Sequence, residues 1–143
     1  MAVNSTCKPK NNTVSRKAYI IDNNFINAFS WRAGQDRGKL LENLVALELR
    51  KQDLNLQFTR GKQECDFIVQ TPEHTLLPIQ VSYELGAPDT RAREVKGLLT
   101  ACHATQAREG LIVTMAEEET FTEDGVNVRV VPAWKWLLQG VLS

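Results

Sequence analysis

The sequence is short of cysteine: Cys7, Cys65 and Cys102 are odd in number, widely scattered and without a CxxC pair. That excludes a disulfide framework and a cysteine zinc site, and reads as reduced thiols in a cytoplasmic protein. Charge of one sign is missing too. Seventeen Lys plus Arg balance seventeen Asp plus Glu, so the chain does not coat nucleic acid by net charge, and only a local basic groove is left for that role. No apolar run approaches the roughly 18 residues that cross a bilayer. The polar stretch Met1–Lys17 lacks the apolar core of a secretory leader. There is no GxxxxGK[ST] loop to cradle a nucleotide's phosphates, so the chain is not itself a P-loop ATPase. No internal repeat is visible. What remains is ordinary: 143 residues, 43% hydrophobic and 24% charged, the profile of one compact domain.

Residues 1 to about 15 read as a flexible basic lead-in, too poor in large apolar groups to pack, and residues 16–143 as a single domain. A strand-like run, Ala18–Ile21, ends in the turn-prone Asp22-Asn23-Asn24, and Phe25 to Arg32 holds Phe25, Ile26, Phe29 and Trp31. Asp36 is a good N-cap for a helix to about Gln52, whose Leu40, Leu41, Leu44, Val45 and Leu47 share one arc. Strands are expected at Leu54–Arg60, Glu64–Thr71 and Thr75–Glu84, and then a helix capped by Asp89 and ending near Ala107. Gly110–Met115 is a continuous apolar run, the mark of a strand buried on both faces. The acidic run at Glu117 reads as a solvent-exposed loop before a small strand. Val126–Val131 is another strand, and Pro132 opens a short helix whose Trp134 and Trp136, two residues apart, cannot both face inward. The order is an antiparallel meander followed by a helical crossover to a parallel neighbour. It predicts an α/β (α+β) mixed sheet flanked by helices.

Polar residues inside two of these strands carry the chemistry. Asp66 interrupts Glu64–Val69, and Gln80 and Ser82 interrupt Ile79–Tyr83. If the turn is Pro72–His74, Thr71 faces Thr75 and Asp66 falls opposite Gln80, their Cβ atoms roughly 5 Å apart. Ser82 points the same way, while Pro78 marks a bulge or an edge. Oxygen ligands on adjacent strands suit Mg²⁺ or Mn²⁺, and Glu42 on the first helix is the third acid within reach. Each residue also has a plainer role. Glu42 near a helix N-terminus is favourable through the macrodipole alone. Gln80 satisfies a neighbouring backbone group, Ser82 fills space, and Arg91, Arg93 and Lys96 line a solvated helix face.

Several segments together resemble a known family. Gly38–Val45, Gly61 to Glu64–Val69, Ile79–Tyr83, Asp89–Glu94, Gly110–Thr114 and Val130–Leu137 are similar to the C-terminal domain, of unknown function, of a group of archaeal and bacterial AAA-type ATPases. Lys17–Asp22 resembles the junction preceding that domain. The domain is itself similar to the PD-(D/E)XK nuclease fold of Holliday-junction resolvases and many restriction enzymes, with an αβββαβ core.

The resemblance implies a helix Glu, a strand Asp and a following (Glu or Gln)-x-Lys: here Glu42, Asp66 and Gln80 as metal-site residues, with the Val81 carbonyl. Two positions depart from the pattern. Gln80 offers a neutral oxygen, and Ser82 stands where the family has Lys, leaving Lys62, Arg91, Arg93 or Lys96 to meet phosphates. Two functions follow as expectations. One is a divergent Mg²⁺- or Mn²⁺-dependent phosphodiesterase acting on DNA, with Glu42, Asp66, Gln80 and Ser82 in its site. The other is a catalytically silent domain of the same fold that binds DNA or docks on a protein, an AAA-type ATPase or another copy.

Overall fold

The structure is a computed structural model that describes residues 36–52, 56–57 and 65–140. The lead-in, the Ala18–Ile21 strand, the Phe25–Arg32 stretch and Lys62 lie outside the described residues. Helix α1 (Asp36–Lys51) forms where its apolar arc predicts and buries Leu41, Val45, Ala46 and Leu49. Arg50 and Lys51 in its last turn oppose the negative end of the helix dipole. Then come β1 (Leu56–Gln57), β2 (Phe67–Gln70), β3 (Leu76–Val81), α2 (Pro88–Thr105), β4 (Glu109–Thr114), β5 (Glu119–Glu123), β6 (Val126–Pro132) and α3 (Ala133–Gln139).

The strands form one mixed sheet in the order β1-β2-β3-β4-β6-β5. The β2–β3 hairpin closes through the Thr71 N–H on the Thr75 carbonyl at 2.8 Å, with His74 in the left-handed region at φ 63°. Its register, Phe67 opposite Ile79 and Gln70 opposite Leu76, is the one the three-residue turn predicts. Beyond α2 the chain returns as β4, parallel to β3, and β6 is parallel to β4. Pro78 marks neither a bulge nor an edge. It sits inside β3 opposite Ile68, and pairing with β4 begins one residue later, at Ile79. The missing N–H therefore removes no bond from the parallel ladder.

Helix α2 starts two residues earlier than its sequence cap implies. Ala87 is the N-cap, Pro88 occupies the first turn with its φ already set for a helix, and Asp89 lies in the positive first turn. Its C-terminus closes with Gln106 at φ 58° and the Ala107 N–H on the Cys102 carbonyl at 2.8 Å. Among the described residues no helix is long and apolar enough to cross a membrane.

Strand alternation sends the core to both faces of the sheet. On one face Phe67, Val69, Ile79, Leu111 and Val113 pack with Leu41, Val45 and Leu49 of α1 and Trp136 of α3. On the other, Ile68, Ile112, Val128 and Val130 pack with Val95, Leu98 and Cys102 of α2. The result is three layers, helix, sheet and helix. Of the two tryptophans of α3, Trp136 is 3% exposed and Trp134 60%.

Helix α2 approaches β4 closely at Gly110, where an added Cβ would lie 2.8 Å from Leu98 Cδ2 and 2.9 Å from Cys102 Sγ. Leu98 and Cys102 are themselves fully buried and cannot retreat. Gly110→Ala is therefore expected to cost about 1–3 kcal/mol by overpacking, measured by urea unfolding.

Candidate functional site

Asp66 stands just before β2, where the ladder to β3 runs out of backbone partners, and its carboxylate takes over. The Val81 N–H donates to Asp66 Oδ2 at 2.8 Å, and the Asp66 N–H donates to Gln80 Oε1 at 3.3 Å. Residues 66 and 80 thus meet where the register places them. Both are buried, on the face of the sheet that α2 covers. From there the Gln80 side chain crosses the layer, its Nε2 donating to Glu94 Oε2 of α2 at 2.5 Å. Glu94 is also buried, and its second oxygen accepts Arg93 Nε at 3.1 Å and Nη2 at 2.8 Å. The amide has one consistent orientation here. Its oxygen must accept from an N–H and its NH₂ must donate to a carboxylate; the flipped amide would set donor on donor and acceptor on acceptor.

Around this chain of bonds lies an open cavity of about 430 Å³ lined by Lys39 and Glu42 of α1, by Asp66, by Gln80 and Val81 of β3, by Ser82, and by Arg93 and Glu94 of α2, among others. Glu42, Asp66, Gln80 and Ser82, which come from three separate stretches of sequence, therefore do share one cavity. Ser82 makes two bonds to the backbone. Its N–H extends the parallel ladder to the Val113 carbonyl at 3.0 Å, and its Oγ donates to the Glu84 carbonyl at 2.9 Å. The rim beyond it is held by Arg37 over the Tyr83 ring, 5.7 Å from the centroid, and by the Met115 N–H on the Tyr83 carbonyl at 3.1 Å.

Of the cations expected to meet phosphates, Arg93 alone among the described residues lines this cavity. Its side chain is 74% exposed while it holds Glu94. Arg91 faces β5 instead: its guanidinium grips both oxygens of Glu119, at 2.8 and 3.0 Å, and lies 4.9 Å from the centroid of Phe121. Those hydrogen bonds, and then the charge of Glu119, push its pKa above the usual arginine value. Lys96 lines a different groove, between α2 and the turn at Glu123 and Asp124. The acidic run is not an idle loop either. Leu85 donates its N–H to Glu117 at 2.6 Å, Thr114 Oγ1 bonds both the N–H and the carbonyl of Glu117, and Glu118 pairs with Lys135. The Leu85 bond ties the loop after β4 to the loop that leads into α2, and the Lys135 pair ties it to α3.

Glu94 and Lys39 are among the cavity residues that sequence reasoning missed. The signal for Glu94 was present: it stands four residues before Leu98, on the apolar stripe of α2, where a carboxylate needs a partner.

Mg²⁺ or Mn²⁺ takes a near-octahedral shell of oxygens, usually one or two carboxylates plus water. Among the described residues no three His, Cys, Asp or Glu side chains gather at metal-holding distance. What Glu94 meets across the cavity is an NH₂ and not an oxygen, and the oxygen of that amide is engaged by a backbone N–H.

A model described as "Domain of unknown function (DUF4143)" matches residues 37–136. The chain belongs to that family. An uncharacterized protein of Methanocaldococcus jannaschii is 34% identical over 143 residues, an overlap of 90% of this chain and 31% of the relative. The DUF4143 chain thus spans about a third of the length of that curated relative. Among solved structures, a half-complex from the tetradecameric assembly of Thermococcus gammatolerans McrB AAA+ hexamers with bound McrC is similar at a TM-score of 0.50 and 14% identity, covering 66% of this chain and 27% of that one. At that identity the likeness is one of fold.

Proposed function

We propose that this DUF4143 domain is a nuclease-like domain whose cleavage chemistry is silent and which serves as a docking module for an AAA-type ATPase. The observation that carries the reading is the Gln80 bridge. A neutral amide stands between Asp66 and Glu94 and satisfies both, in the place where the resembled nucleases keep a carboxylate. Ser82, in the place of their lysine, is spent on the Glu84 carbonyl. The site's polar groups thus work as a structural clamp between the hairpin and α2. An ATPase as partner is supported by the resemblance of the sequence and by the fold neighbour, itself part of an assembly of AAA+ hexamers with bound McrC.

A second reading, Mg²⁺- or Mn²⁺-dependent hydrolysis of DNA, is favoured by one observation: Glu42, Asp66 and Glu94 share a cavity with Lys39 and Arg93. It requires Gln80 to leave Glu94 first.

Thermal unfolding during a Mn²⁺ titration separates the two. The docking reading expects no saturable rise in midpoint and no cleavage of duplex, single-stranded or branched DNA. A rise that disappears in Asp66→Ala, together with cleavage, would establish the enzyme, because only a bound ion stabilises the native state in this way. Gel filtration with an AAA-type ATPase hexamer from the same organism addresses the partner. Co-elution that persists at high ionic strength is expected; retention on DNA that weakens steeply with salt would put nucleic acid in its place.

A further inference from the structure

Strand β5 is an outer strand of the sheet, bonded on one side to β6. Its residues pair without a skip, Glu119 opposite Val130 through to Glu123 opposite Val126, and no proline or glycine interrupts them. The turn sets the phase of this ladder. Asp124 at φ 49° and Gly125 at φ 75° make a two-residue turn that closes on a hydrogen-bonded pair, Glu123 with Val126. Pairs then alternate, so Thr122 and Thr120 fall in the open pairs and aim their N–H and C=O groups away from β6. A separate bond agrees: Asn127, opposite Thr122, sends its N–H to the Arg108 carbonyl at 2.8 Å, on the far side of β6 from β5. Both threonines are exposed, and among the described residues no strand meets this outward row. The edge is also held ready. Arg91 of α2 grips Glu119 and lies over Phe121, and a His103 ring nitrogen lies 3.3 Å from the Asp124 carbonyl. A strand already fixed loses little freedom when a partner joins it.

We propose that the outer edge of β5 takes an extended, basic segment of another protein as an added strand, its backbone bonded to Thr120 and Thr122 and a Lys or Arg beside Glu123 and Asp124. Charge selects this occupant. From Met115 to Val128 there is no Lys or Arg, and Glu123 and Asp124 stand exposed at the turn end of the edge. A second copy is disfavoured for the same reason. Antiparallel pairing of two β5 strands about Phe121 would set Glu119 of one copy against Glu123 of the other, and like charges directly opposite are destabilising. The inference is independent of whether the Asp66 cavity is a clamp or an enzyme.

Titration of the full chain with a short synthetic peptide, valine and threonine between terminal lysines, tests it by amide exchange and fluorescence anisotropy. The Thr120 and Thr122 amides are expected to exchange at least about tenfold more slowly at millimolar peptide, while Phe121, already bonded to β6, stays as it was. Thr122→Pro removes an outward N–H and no bond to β6, so binding should weaken at least about tenfold there and persist in Thr122→Val. A peptide N-methylated on the residues that face β5 should lose binding to the wild type by a similar factor, a test that needs no variant to fold. Unchanged exchange at Thr120 and Thr122, or equal binding of the N-methylated peptide, overturns the proposal. Equal binding of a peptide with glutamates in place of the lysines overturns the basic partner. Protection of both amides without peptide assigns the edge to the chain itself, or to a second copy if it vanishes on dilution, and overturns it as well.

Discussion

Replacing Gln80 by leucine is expected to destabilise the domain by about 3 kcal/mol, since hydrogen bonds to charged groups contribute about 1.5–3 kcal/mol and a stranded buried donor adds its desolvation cost. Two partners are abandoned at once: the Asp66 N–H and Glu94 Oε2, both on buried residues. Leucine matches glutamine in bulk, so packing contributes little to the loss. Equilibrium urea unfolding measures it. A double-mutant cycle with Glu94→Ala isolates the bridge: the double variant should lose less than the sum of the singles by about 1–2 kcal/mol, because the second substitution removes the group that the first leaves unpaired. Additive losses would mean that Gln80 and Glu94 act separately, and the clamp would fall with them. If the site were instead an ion-holding centre in the resting protein, millimolar Mg²⁺ would deepen the penalty of Gln80→Leu; the clamp predicts the same penalty with and without the ion.

The second large effect is on alkaline stability. Burial, and after it the charge of Asp66, pushes the Cys65 thiol up to about 12, although its Sγ–H has the Ile79 carbonyl at 3.2 Å to donate to. Burial pushes Cys102 up to about 11. Both folded values lie above the ordinary thiol value, so above about pH 9 the unfolded chain releases protons that the native protein retains. The stability that these thiols contribute is complete below about pH 9 and is lost as pH rises toward 11 and 12, at about 1.4 kcal/mol per thiol per pH unit. Denaturant unfolding at a series of pH values between 8 and 11 should show this slope. Cys65→Ala should remove about half of it near pH 10, which separates the thiols from the lysines and tyrosines that titrate in the same range. A variant with the wild-type slope would show that Cys65 is not the group responsible. The same burial predicts that thiol reagents at pH 8 label Cys65 and Cys102 only as fast as the domain opens.

Much of this architecture was legible in the residues. Val, Ile and Leu alternation gave the strands of the hairpin, and the short Pro72–His74 turn left one register that kept Phe67, Val69, Leu77 and Ile79 together on a buried face. That register placed Asp66 against Gln80 before any coordinates were needed, because a slip by one residue would have turned the whole apolar set outward. The helical spacing of α1 likewise put Glu42 beside the apolar arc, at the margin of the cavity. The plain reading of Gln80, as a group that satisfies a neighbouring backbone, also describes its bond to the Asp66 N–H.

Legibility stopped where partners are distant in sequence. Arg91, Arg93 and Lys96 look equivalent along one helix, yet Arg91 is bound to Glu119, 28 residues away. Glu117 reads as one of three exposed acids, yet it holds the Leu85 N–H across a separation of 32 residues. Local propensity and periodicity describe what a segment does on its own; they carry no information about which loop meets which.

The amino-acid order alone therefore determined the layered α/β class, the hairpin register and the meeting of Asp66 with Gln80, since each follows from short-range geometry and the burial of one face. Only the packed molecule decided that Glu94 receives the Gln80 amide and that Arg91 turns to Glu119. Both contacts of α2 depend on the distance and angle at which that helix crosses the sheet. That crossing is set by the summed fit of Val95, Leu98 and Cys102 against Ile112 and Val128, and no single stretch of the chain encodes it.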